Sequence, residues 1–160
     1  MSGFVAPRWL YGFDGTGRAP VRTSADTPGD ARPFTLAYAA TQRVLLMRMG
    51  PRFSDDIYRD GYAVLARFVA AHGRCSLILD LTRVTKFDLS YPFLVEIADA
   101  KPAIPGPMSR YVVAPQPHVF GAVRIVETLR AATQAPITIV RHIEEACAAL
   151  GVAASDFVAA

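Results

Sequence analysis

The chain has 160 residues, 52% of them hydrophobic and 19% charged, which suits one packed domain with a tail and excludes a disordered chain. The formal net charge is +3, and the 15 Arg and 2 Lys are scattered along the sequence, so a nucleic-acid surface is not expected. No apolar run approaches the roughly 18 residues of a membrane span. "MSGFVAPRWLYGFDG" has no basic start followed by an apolar stretch, so no secretory signal is expected and the expected location is cytoplasmic.

Residues 1–33 read as a flexible arm dense in Gly, Pro, Ser, Thr and Asp, a composition that buries little surface. Its aromatic patch, Phe4, Trp9, Leu10, Tyr11 and Phe13, is read either as folding back or self-associating, a homodimer included, or as a docking peptide for another protein. From 34 to 152 the pattern is that of a domain, and 153–160 reads as a C-terminal tail. "FTLAYAATQ" and "RVLLMRMGP" predict two strands joined as an antiparallel hairpin across Gln42-Arg43. In "SDDIYRDGYAVLARFVAAHG", Ser54 is an expected N-cap and Asp55 and Asp56 suit the helix dipole. Ile57, Val64, Leu65, Phe68 and Val69 recur at helical spacing, Tyr58 and Tyr62 widen the stripe, and Gly73 ends it.

"CSLILDLTRV" is a near-continuous apolar run, as in a strand buried on both faces. "YPFLVEIADAKPAI" predicts a short helix with Pro92 in its first turn. "SRYVVAPQ" is a further buried strand, "PHVFGAVRIVETLRAATQ" a helix, "PITIVRH" the last strand and "IEEACAALG" the closing helix. The predicted order is ββαβαβαβα, an α/β fold with four helices and a mostly parallel sheet after the opening hairpin.

Catalytic signatures are missing: there is no glycine-rich nucleotide loop, no H-E-x-x-H and no nucleophile elbow. His72, His118 and His142 read as helix-end residues. Cys75 and Cys147 lie in apolar contexts and read as reduced core residues. No cofactor or metal is expected. Open α/β sheets present functional groups beyond the carboxyl ends of their strands. That rule selects Asp88, Ser90 and Tyr91, then Pro115, Gln116 and His118, then Arg141 and His142. Arg124, next to Gly121, is read either as an anion-binding group or as a surface partner of Glu127 or Glu145.

The stretch "LILDLTRVTKFDLSYPFLVEI" resembles the central strand, loop and helix of STAS domains, the sulfate-transporter and anti-sigma-factor-antagonist family. The usual form ends a strand in Asp-Leu, carries a loop Val and opens a helix with Asp-Ser-Ser-Gly. Asp80-Leu81, Val84 and Asp88 match in register, Leu89 and Tyr91 depart from the pattern, and Ser90 falls on the serine that kinase-regulated relatives phosphorylate. The later half, with Pro117, Phe120, Gly121, Arg124, Glu144, Glu145 and Ala146, is similar to small stand-alone bacterial SpoIIAA-like proteins of STAS/SEC14 type. The resemblance implies a non-enzymatic regulatory or protein-binding module with Ser90 as phosphorylation candidate. Its implied partner is a protein, a serine kinase or phosphatase among the candidates. The surface would include Asp88, Ser90, Tyr91, Gln116, His118 and Arg124. The alternatives are a carrier of a small apolar ligand or lipid, with Ala98, Ala122 and Ala146 leaving the space, and an enzyme of unknown reaction.

Overall fold

A computed structural model describes residues 32–104, 107–131 and 136–160; the aromatic patch of the arm lies outside them. Strands β1 (Phe34–Ala39) and β2 (Val44–Met49) form the antiparallel hairpin, with Ala39 opposite Val44. Arg43 completes its turn in the left-handed region at φ 55°, which a non-glycine residue adopts at some cost. There follow β3 (Arg52–Ser54), α1 (Asp55–His72), β4 (Ser76–Asp80), β5 (Lys86–Asp88), α2 (Tyr91–Asp99), β6 (Arg110–Val113), α3 (Pro117–Arg130), β7 (Thr138–Val140) and α4 (Ile143–Leu150). A 3-10 turn (Ala154–Asp156) and β8 (Val158–Ala159) close the chain.

The main sheet has the order β7-β6-β4-β2-β1-β8. β2, β4, β6 and β7 run parallel, and β1 is antiparallel to both its neighbours. The α/β class, the four helices and the mostly parallel sheet are those read from the sequence. Three short strands are additional. β3 and β5 pair in parallel as a separate ribbon, and β8 covers the edge of β1. Segments of two or three residues carry no periodicity, so pairing alone makes them strands.

Local chemistry sets the helix ends. Ser54 occupies the N-cap of α1 but makes no side-chain cap bond, because it already belongs to β3; Asp55 and Asp56 supply the negative charge of the first turn instead. Ser90 does cap α2, its Oγ accepting the Phe93 N–H at 3.3 Å, with Pro92 in the first turn. Gly151 ends α4 at φ 64°, a conformation that suits glycine.

Alternation along each strand divides the core in two. Leu45, Met47 and Met49 of β2 join Leu77 of β4, Val112 of β6, Leu65 of α1 and Val119 and Val123 of α3. The intervening residues Val44, Leu46, Ile78 and Val113 point the other way, toward Ala146 of α4. Each such fully buried aliphatic side chain contributes about 1.5–3 kcal/mol of transfer free energy. Helix α2 packs on α3, where Phe93, Leu94, Ile97, Ala98 and Val126 form a third cluster.

Candidate functional site

The chain leaves β4 at Asp80, whose buried carboxylate accepts the Thr82 N–H at 3.0 Å and the Arg48 Nε at 3.3 Å. Asp80 therefore terminates the strand. The loop to β5 is fastened from the side by Gln116, whose Nε2 lies 3.2, 2.8 and 3.1 Å from the carbonyl oxygens of Leu81, Thr82 and Val84. Three acceptors converging on one amide demand its NH2 end, and the buried Oε1 meets no donor. Gln116 is a structural clasp across two crossover loops.

Beyond the clasp, Asp88 lies on β5 between two cations, 3.6 Å from Arg52 Nε and 3.6 Å from Lys86 Nζ. Ser90 and Tyr91 are exposed at the start of α2, with Tyr91 63% exposed. Leu89 turns inward and packs against the core, which explains an apolar residue in this hinge. Asp88, Ser90 and Tyr91 thus share one exposed corner.

The remaining sequence-selected residues stand elsewhere. His118 is exposed in the first turn of α3. Arg124 pairs with Glu127 one turn along the same helix, and Gly121 beside it faces open space. Arg141 stacks its guanidinium 3.9 Å from the Phe120 ring centroid and donates to the Pro115 carbonyl at 3.0 Å. His142 is the N-cap of α4; its backbone N–H donates to the Glu145 carboxylate at 2.9 Å. Among the described residues, no hydrogen bond or ion pair joins the Asp88–Tyr91 corner to Gln116, His118 or Arg124.

A cavity lies between the sheet and α1, α2 and α3. With a volume of about 140 Å³, it separates the cluster under α1 from the cluster between α2 and α3. Met47, Leu77 and Leu79 form its floor. Gly61 and Leu65 of α1, Leu94 and Ile97 of α2 and Val126 of α3 form its walls. Leu79 is only half-buried although it belongs to the central strand β4. A side chain in that position is exposed only because the cavity reaches it. Ala98, Ala122 and Ala146 do not line the cavity. Ala146 is fully buried against the opposite face of the sheet. The space lies between Leu77 and Leu79 of β4 and Leu94 and Ile97 of α2, which packs on α3.

Few groups in the wall are polar. Arg110 and Arg130 are 6% and 5% exposed. Arg110 donates to the Ile104 carbonyl through Nε at 2.9 Å and also through Nη2. Arg130 Nη2 donates to the carbonyls of Ile97 at 2.7 Å and Ala100 at 3.3 Å. Burial, with the like charge of Arg130 adding to it, lowers the pKa of Arg110. Burial pushes the Tyr58 phenol up from 10.0 to about 12, against the pull of Arg130. Sequence reading did not single out either arginine. Arg110 opens an apolar strand and Arg130 closes a helix, positions at which arginine is usually a solvated end group. The signal that was present is Tyr58 and Tyr62 widening the stripe of α1; both line the cavity.

Other chemistry is sparse. Cys75 is buried and Cys147 half-buried, both free, and burial raises both thiols, which disfavours the reactive thiolate. Among the described residues no group of three or more His, Cys, Asp or Glu side chains could hold a metal ion. No described helix is long and apolar enough to cross a membrane. No protein-family model, curated protein or solved structure matches the chain.

Proposed function

We propose that this chain is a non-enzymatic, STAS-like binding module of the SpoIIAA-like kind that holds a small apolar ligand between its sheet and helices. One observation carries the reading: the cavity of about 140 Å³ walled by α1, α2, α3 and the floor of β2 and β4. Protein interiors pack as tightly as organic crystals, and a void of this size with an apolar lining can take up a small apolar molecule, which supports a binding site. The STAS-like part of the reading rests on the order of strands and helices and on the Asp80-Leu81, Val84 and Asp88 register. Native mass spectrometry of the purified protein, with titration of 1-octanol, tests the ligand site. A co-purifying apolar mass or saturable octanol binding is expected. An empty protein that binds no apolar probe overturns it.

A second reading has its own observation. Ser90 and Tyr91 are exposed together at the N-terminus of α2, beside the cations Arg52 and Lys86 that flank Asp88. A phosphate on Ser90 would meet the favourable end of the helix dipole and oppose Asp88. The corner then acts as a regulated docking surface for a protein partner. Phosphopeptide mapping of protein from its native host would place phosphate on Ser90; a fully unmodified Ser90 under all growth conditions removes the switch.

A further inference from the structure

The cavity wall carries charge that its apolar lining does not call for. A buried guanidinium is costly unless its charge is met. Arg110 meets one carbonyl, that of Ile104, through Nε and Nη2. It forms no ion pair with a described carboxylate, and its Nη1 has no hydrogen bond to a described residue. A carbonyl dipole orients the side chain and leaves the net charge in place. Arg130, in the same wall, adds a second positive charge that acts on Arg110. The remaining lining is apolar apart from the hydroxyls of Tyr58, Tyr62 and Tyr111. An apolar chamber with guanidinium at one margin is complementary to a molecule of the same division, an apolar body with an anionic head.

Resting on the reading of the cavity as a ligand site, we propose that its ligand is a medium-chain carboxylate whose head accepts hydrogen bonds from Arg110. Its alkyl body lies among Leu65, Leu77, Leu79, Leu94 and Ile97. Size follows from volume. A cavity of about 150 Å³ in another protein holds benzene, so one of about 140 Å³ encloses about six carbons of the alkyl body. A carboxylate matches the arginine fork with two coplanar oxygens and a single charge. A phosphate monoester would bring more charge and more oxygens than this sparsely polar wall can satisfy.

The test is calorimetric titration of the whole chain at pH 7.5 with octanoate, 1-octanol, octylamine and octyl phosphate. Octanoate is expected to bind about tenfold or more tightly than octanol, the margin of a charge-assisted hydrogen bond, and octylamine weakest. The wild-type series is decisive without any variant. Arg110→Met is expected to erase the preference for octanoate and keep octanol binding. Equal affinity for octanoate and octanol overturns the head-group assignment and leaves the ligand site standing. Octyl phosphate binding tenfold tighter than octanoate overturns the carboxylate. Val126→Phe, which fills the chamber, is expected to abolish binding of octanoate and octanol together; octanoate binding that survives it lies elsewhere and sinks the proposal. Absence of binding by every probe removes the ligand site itself.

Discussion

The two faces of the sheet are built from one set of strands and behave oppositely. On the α4 face, Ile78, Val113 and Ala146 are each 0% exposed and close the interface. On the other face, adjacent residues of the same strand meet a cavity, and Leu79 is only partly buried beneath three helices. The difference comes from what covers each face. On one side α4 packs Ala146 directly against Val44, Leu46, Ile78 and Val113, whereas on the other α2 packs on α3 in a cluster that contains no residue of the main sheet's central strands. Packing density is therefore a property of each interface and not of the molecule.

Paired truncations in β4 break or sharpen that comparison most strongly. Ile78→Ala is expected to cost about 2–5 kcal/mol by chemical denaturation, the penalty of a new cavity in a closed core. Leu79→Ala, one residue later, is expected to cost less than half as much, because the cavity already exists and the side chain is only partly buried. Equal losses would mean that the chamber is closed in solution. Enlarging residues reverses the sign. Ala146→Leu is expected to destabilise by about 1–3 kcal/mol through overpacking, while Val126→Leu on the open face is expected to be neutral or to raise the melting temperature.

Gln116→Glu puts an acceptor where three carbonyls require a donor, at a cost of about 1–3 kcal/mol at pH 7. Protonation of the new carboxyl restores a donor, so the variant is expected to recover part of that loss as pH falls. Thermal melts from pH 7 to 4 would show it.

Tyr58 gives a smaller, alkaline effect. Its folded pKa of about 12 stands above the ordinary 10.0, so the folded state holds the proton that the unfolded state has released. Stability is unaffected below pH 10. It is then lost with a slope of at most about 1.4 kcal/mol per pH unit as pH rises toward 12. Tyr58→Phe is expected to flatten this slope in melts between pH 9 and 11. Smallest is Ser90→Ala, which removes the cap bond to Phe93 N–H and is expected to lower stability by about 1 kcal/mol; Ser90→Asp, which retains a capping acceptor, is expected to restore most of it.

Much of the frame was legible in the sequence because it rests on local signals. The stripe of Ile57, Leu65 and Phe68 needs only a helical period, and "SLILD" needs only a buried run bounded by Asp80. Gln116, Arg124 and Arg141 were singled out by position, at strand ends or in α3, and position does not tell a clasp from a binding group. Gln116 became a clasp because the loop after β4 turns three carbonyls toward it. A cavity left by small residues belonged only to the alternative carrier reading, and the alanines named for it pack elsewhere; the gap depends on where α2 comes to rest, which no local pattern encodes. Arg110 and Arg130 escaped notice for the same reason, since their burial follows from the arrangement of helices around them.

The alternation in β4 has a consequence for how this protein can change. Leu77 and Leu79 face the chamber while Ile78 between them faces the closed interface. Substitutions at Leu79 alter what the chamber admits and draw less on stability than substitutions at Ile78. A strand arranged this way lets selectivity drift, or be re-engineered, while the fold stays anchored one residue away.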